Sequence, residues 1–117
     1  MAEAMQQHGV DQSQSGPWSV LDVYGEVELS WSPDLRQEVL AVLANSSALA
    51  VRLARVTYID SSGIAALVEG FQRARSHHQR FVLLSPSPPV RSVLELARLD
   101  RVFPIFPDLA AATAAGG

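Results

Sequence analysis

Two hydrophobic periods take turns along this chain, and their order limits the fold more than any other feature. From Leu21 to Leu29 the odd positions read Leu21, Val23, Gly25, Val27 and Leu29, and the even ones include Asp22, Tyr24, Glu26 and Glu28. Period two marks a half-buried strand, or a hairpin bent near Gly25, with Trp18 and Val20 at its start. Ser32-Pro33-Asp34 then announces a helix. Ser32 suits the N-cap, Pro33 the first helical position, and Asp34 the positive end of the dipole. Leu35, Val39, Val42 and Leu43 follow at helical spacing, and Asn45-Ser46-Ser47 ends the run.

The same exchange repeats. Leu49, Val51 and Leu53 alternate as in a strand, which Val56, Tyr58 and Ile59 carry irregularly to Asp60. A second helix starts at Ser61 or Ser62 with an apolar stripe of Ile64, Leu67, Val68 and Phe71, and with Arg73 and Arg75 near its negative end. Phe81–Leu84 is a short apolar run of the kind covered on both faces. After Pro86-Ser87-Pro88-Pro89, Val90, Val93, Leu94 and Ala97 define one face of a third helix. Val102, Phe103, Ile105 and Phe106 read as a last strand, which Pro104 and Pro107 confine to an edge. The order β-β-α-β-α-β-α-β predicts an α/β layer structure with a mixed, mostly parallel sheet of four to five strands.

The chain has 117 residues, enough for one core. Met1–Gly16 is polar, rich in Gln and Ser, and reads as a flexible tail; residues 17–113 form the domain, and 114–117 a flexible end after an Ala-rich stretch suited to a short helix. A formal net charge of −3 and the lack of a basic, aromatic stripe argue against nucleic acid as partner. Cysteine is absent, which removes thiol catalysis, disulfides and Cys-type zinc sites. His8, His77 and His78 lack the spacing of a helical metal pair, so neither metal nor cofactor is expected. No run approaches a membrane span, and the start carries no signal-type apolar segment. These readings predict a cytoplasmic protein without direct membrane insertion, monomeric or weakly dimeric through a free sheet edge.

One constellation carries chemistry. In Asp60-Ser61-Ser62-Gly63 a strand ends in a carboxylate, two hydroxyls follow, and Gly opens an amphipathic helix. Amides at a helix start point outward and carry positive partial charge, so the place stabilises anions, a phosphate on a hydroxyl included. A phosphoserine adds about −1.5 to −2 charge at neutral pH. Taken alone, the tetrapeptide is also an ordinary strand-to-helix turn with Asp or Ser as cap.

The wider context resembles the signature of STAS domains, the family of bacterial anti-sigma factor antagonists and of sulphate-transporter tails. The resemblance rests on Ala50–Leu53 and Val56–Ile64 around the motif, on Tyr24–Leu29 with Ser32-Pro33-Asp34-Leu35, and on Leu96–Phe103, in matching order over residues 18–112. It implies a single STAS-like domain with helices packed on one side of the sheet. It implies a switch in which a serine kinase that doubles as anti-sigma factor modifies Ser61; the expected partner-binding face is Asp60, Ser61, Ser62, Gly63 and Glu28, with Trp31 added on its own residue type. Glu28 stands where the family has Asp, Arg52 stands where it usually has another Asp, and Ala54-Arg55 replaces its small Ser-Gly pair. Arg52 and Arg55 thus place positive charge near the switch, or simply reach water. An alternative from the same resemblance is a STAS subunit of an Mla-type ABC phospholipid transport system, docked on the ATPase subunit.

Trp31 before the first helix reads equally as an exposed interface anchor and as a staple residue closing the core. Packing is the expected role of Tyr58, and His77-His78 are expected to meet the last carbonyls of the second helix. An enzyme is not expected: no nucleophile elbow, Walker loop or dinucleotide fingerprint is present, and no His base is adjacent to Asp60 and Ser61.

Overall fold

The computed structural model describes residues 8–116. Its elements run β1 (His8–Ser15), β2 (Trp18–Val27), α1 (Ser32–Leu43), β3 (Ala48–Ile59), α2 (Ser61–Ser76), β4 (Arg80–Leu84), α3 (Pro88–Leu96), a 3-10 turn (Leu99–Arg101), β5 (Ile105–Phe106) and α4 (Leu109–Ala115). The five strands lie in the order β1-β2-β3-β4-β5. β1 pairs antiparallel with β2, and the remaining pairs are parallel. This is the mixed, mostly parallel sheet that the alternating periods predict.

Sequential strand order with helical crossovers places α1, α2 and α3 on one face, because such crossovers are right-handed. Strand alternation sorts the side chains accordingly. Leu21, Val23, Leu49, Val51, Leu53, Phe81 and Leu83 join the core beneath these three helices. Trp18, Val20, Ala48, Ala50, Val82 and Leu84 point the other way, against Ala112 of α4. A fully buried Leu such as Leu21 or Leu53 contributes roughly 1.5–3 kcal/mol. The helical layer is therefore one-sided as expected for α1–α3, and α4 adds a short cover on the opposite face. Trp18 Nε1 donates to Thr113 Oγ1 at 3.0 Å, and the Arg80 guanidinium lies 4.6 Å from the Trp18 ring centroid.

The N-terminal expectation needs correction. His8–Ser15 is not a tail but a strand, in register with β2 from His8↔Gly25 to Ser15↔Trp18. Gly16 and Pro17 form a two-residue hairpin loop, and Gly16 takes φ +57, a left-handed conformation that glycine adopts without a Cβ clash. The hairpin bend thus lies at Gly16-Pro17, and β2 continues past Gly25, which takes φ +84, to Val27. The rest of the predicted tail, residues 1–7, lies outside the described residues, as does Gly117 at the other end. At the C-terminal side, α4 continues to Ala115, two residues past the predicted domain end at 113.

β3 is longer than its partner because it bulges twice. Its register against β2 shifts between Asp22 and Tyr24 and between Gly25 and Glu26. Each shift adds a residue on β3, which is why its core positions change from Leu49, Val51 and Leu53 to Val56 and Ile59. The irregular pattern after Leu53 was the sequence sign of this. The predicted last strand shrinks to Ile105–Phe106, with Phe103 buried before it. Ala97 caps α3 and is exposed, not part of its buried face. At the end of α2, His77 Nδ1 lies 3.0 Å from the Arg73 carbonyl oxygen, as expected of a C-terminal histidine.

Candidate functional site

The strand ends that precede α1 and α2 meet at one edge of the helical layer. Asp60 is the N-cap of α2, and Ser61 is its first helical residue. Asp60 Oδ1 accepts from the Ser62 amide at 2.9 Å, the Gly63 amide at 3.1 Å and the Ser62 hydroxyl at 2.6 Å. Its Oδ2 accepts from the Leu29 amide at 3.2 Å, and its own amide donates to the Val27 carbonyl at 3.1 Å. One carboxylate therefore closes the helix start and ties it to the loop after β2. The Ser62 hydroxyl holds the Asp60 carboxyl below the usual carboxylate range; partial burial works against this, and the Gly63, Ser62 and Leu29 amides work with it. Asp60 is ionised at neutral pH.

The two hydroxyls have different surroundings. Ser62 Oγ donates to Asp60 and accepts from Ser32 Oγ at 2.8 Å. Ser61 is exposed, and its hydroxyl makes no hydrogen bond among the described residues. Ser32 is 4% exposed and is the first residue of α1; the N-cap is Trp31, which makes no side-chain cap bond. The predicted capping role of Ser32 is thus replaced by a bond across to α2, because its side chain faces Ser62.

Gly63 is required by close approach. A Cβ there would lie 2.7 Å from Val27 Cγ1 and 2.8 Å from Ile59 Cγ1, so the start of α2 sits directly on the ends of β2 and β3. Further along, Arg36 of α1 and Glu69 of α2 form a two-bond ion pair, both bonds 2.7 Å. Their side chains are 41% and 45% exposed, so the pair braces the two helices at small energetic gain.

Glu28 lies in the loop beside this cap. Its carboxylate accepts from the Ser30 amide at 2.9 Å and from the Ser30 hydroxyl. The Ser30 hydroxyl, then the Ser30 amide, lower its pKa, while Asp60 opposes that shift as a nearby like charge. The Glu28 carbonyl receives the Trp31 amide at 2.9 Å and the Ser32 amide at 2.8 Å. Glu28 thus shapes the loop that presents Leu29 and Ser30.

The structure brings Asp60, Ser61, Ser62, Gly63 and Glu28 together and turns Trp31 away. Trp31 is 8% exposed, belongs to the core and stacks on His8 with ring centroids 4.7 Å apart. Of its two readings the core one holds, and its assignment to the partner-binding surface is corrected. Tyr58, expected to pack, is 51% exposed. Arg52 and Arg55 are not at the motif. Arg55 bonds Asp11 at 2.9 Å and Asp22 at 3.4 Å, and Arg52 approaches Asp22 at 3.9 Å. Asp22 shares the sheet face of Val20, opposite the helices, so on that side Arg55 ties β3 to both β1 and β2, and Arg52 ties β3 to β2.

Sequence reasoning missed Leu29. Period two places it among the odd, apolar positions, but β2 ends at Val27, and Leu29 is 68% exposed with its amide on Asp60. The Glu-Leu-Ser step before Trp31 is the only sequence sign that the alternation has stopped there. Among the described residues no three His, Asp or Glu side chains gather as a metal site, and no helix is long and apolar enough to cross a membrane.

A family model described as "Mlab, STAS domain" matches residues 10–107. An anti-sigma factor antagonist from Mycobacterium paratuberculosis superposes with a TM-score of 0.84 at 28% identity, with 92% of each chain covered. A putative anti-sigma factor antagonist from Thermotoga maritima gives 0.83 at 21% identity, covering 91% of this chain and 92% of that one. The Bacillus cell fate determinant SpoIIAA in its phosphorylated form gives 0.71 at 17% identity, covering 92% and 98%. The last two share the fold with this chain.

Proposed function

The chain belongs to the STAS domain family, and from that premise we propose that it is a partner-switching protein of the anti-sigma factor antagonist type. In this reading the end of the molecule that carries Asp60-Ser61-Ser62-Gly63 binds an anti-sigma factor that is also a serine kinase. Phosphorylation of Ser61 then ends the complex. The chain itself acts in the cytoplasm as a binding module, not as an enzyme.

The observation that carries this is the division of labour between the two serines. Ser62 is engaged twice within the fold, whereas Ser61, exposed at the first position of α2, has no bonding partner for its hydroxyl among the described residues. A hydroxyl in that position can enter a kinase active site without breaking the cap. The phosphate it receives adds about −1.5 to −2 charge beside Asp60, at a surface whose nearby carboxylate Glu28 has the same sign. The helix start tolerates that charge through its dipole. A partner surface matched to the unmodified end meets a bulky anion instead. Solved neighbours that include a phosphorylated antagonist support the class of mechanism.

The test is phosphosite mapping by mass spectrometry after incubation with the cognate kinase and ATP, together with binding of Ser61→Asp. Modification of Ser61 and weakened binding are expected. A modified Ser62 with Ser61 untouched, or unchanged affinity of Ser61→Asp, refutes the switch.

A second reading is favoured by the wording of the family match, "Mlab, STAS domain". There the same end docks on the ATPase subunit of an ABC phospholipid transport system, and Ser61 is an interface residue. Copurification separates the two: an ATP-binding cassette subunit supports transport, and a small serine kinase supports sigma-factor control.

A further inference from the structure

The sheet closes one edge and leaves the other open. β5 is two residues long and lies between Pro104 and Pro107, so it offers little backbone to a neighbour. β1 is eight residues long, stands first in the sheet, and pairs with β2 residue for residue without a bulge. It contains no Pro, Lys or Arg, and its carboxylate Asp11 is already held by Arg55. The devices that usually keep an edge strand single are missing from it. Among the described residues nothing pairs with its outer side.

The helical layer also stops short of this edge. The even positions of β1 share the face of Leu21 and Val23, beneath α1. Val10 reaches the core, but Gln12 and Gln14 border a groove of about 350 Å³ whose far wall is Glu38 and Val42 of α1. The sheet is one strand wider than its cover.

We propose that a second copy of this chain completes the edge, with β1 pairing antiparallel to β1 of that copy about a two-fold axis at Gln12. Opposed residues in an antiparallel pair share a face, so identical strands meet with one residue opposite its own twin. Centring on Asp11 sets two carboxylates against each other, and centring on Ser13 shortens the overlap to residues 11–15. Centring on Gln12 engages residues 9–15 and sets Asp11 against Ser13 and Val10 against Gln14. It also sets the Gln12 carboxamide, both donor and acceptor, against itself. No like charges oppose one another. The contact is isologous and closes as a dimer with one continuous ten-stranded sheet. Its two-fold axis points the two Ser61 ends in opposite directions, so pairing leaves both free. This inference does not depend on what binds there.

The chain lacks cysteine, so Gln12→Cys sets one thiol opposite its twin at a Cα separation of about 4.5–5.5 Å, within disulfide reach. Mild oxidation of this variant is expected to give a cross-linked dimer several-fold faster than Gln14→Cys. In sedimentation, the wild type is expected to dimerise with concentration, and Gln12→Asp to weaken the dimer about fivefold through like-charge opposition with an unchanged circular dichroism spectrum. A wild-type chain that stays monomeric, or Gln14→Cys linking as fast as Gln12→Cys, overturns the proposal.

Discussion

Ser32 and Ser62 join the starts of α1 and α2: the Ser32 hydroxyl donates to the Ser62 hydroxyl at 2.8 Å. Ser62 in turn donates to Asp60 at 2.6 Å. Ser62→Ala removes both bonds and leaves the buried Ser32 hydroxyl without its partner. The expected loss is about 1–3 kcal/mol of stability, read from urea unfolding. Ser61→Ala is expected to stay within about 0.5 kcal/mol of wild type, because that hydroxyl has no partner among the described residues. Equal losses at the two positions would contradict this separation of roles.

Asp60 gives the helix start a pH dependence of predictable sign. Its carboxyl titrates below the usual range in the folded chain, chiefly because of the Ser62 hydroxyl. The unfolded chain, with a carboxyl near pKa 3.9, therefore takes up the proton first as pH falls. The stabilisation is fully present above that value and is lost as pH drops through the folded one. Asp60→Ala should lower stability by about 1 kcal/mol at neutral pH and flatten the decline below about pH 4. Glu69, also held low, persists in both proteins and cancels in the difference between their unfolding curves; Glu28 loses a like-charge neighbour when Asp60 is removed, so with Glu28→Gln in both backgrounds the remaining difference isolates Asp60. Parallel curves would assign the acid sensitivity elsewhere.

Gly63 is a packing requirement. A methyl group there meets Val27 and Ile59, both buried branched side chains on neighbouring strands. Gly63→Ala should cost about 1–3 kcal/mol and lower the melting temperature by several degrees. Because relief requires the start of α2 to move, partner affinity should fall together with stability. A variant as stable as wild type would show that the strand ends yield more easily than this contact implies.

What the sequence made legible was periodic. Leu49, Val51 and Leu53 fixed a strand, Leu35, Val39, Val42 and Leu43 a helix, and the motif was recognisable as a helix start capped by Asp or Ser, a choice that the structure resolves to Asp60. His8–Ser15 was not legible. It is polar at most positions, so its strand state comes from pairing with β2 and from the Arg55 bridge to Asp11 and Asp22, not from local preference. Arg52 precedes both bulges and stands opposite Asp22 in regular register, but Arg55 was misplaced for a related reason. The two bulges in β3 decide where side chains after Leu53 point, and a period-two count does not register an inserted residue. Ser32 illustrates a third limit. Its composition says cap, but the bond it makes runs to a residue thirty positions away.

Leu29 and Trp31 exchange the roles that sequence suggests. Leu29 is 68% exposed beside Asp60, while Trp31 is buried under His8. An apolar side chain standing free next to the Ser61 surface is an anchor for a partner that covers it, since fully burying a Leu side chain is worth about 1.5–3 kcal/mol. Leu29→Ala should thus weaken the partner complex roughly tenfold and leave the melting temperature unchanged. Trp31→Ala opens a cavity between the loop and the start of α1, and should cost about 3–5 kcal/mol of stability. Calorimetric titration with the partner and thermal unfolding of both variants distinguish the two effects. If Trp31→Ala keeps full stability and loses binding while Leu29→Ala does neither, the side chains are arranged in solution the other way round, with the indole at the surface.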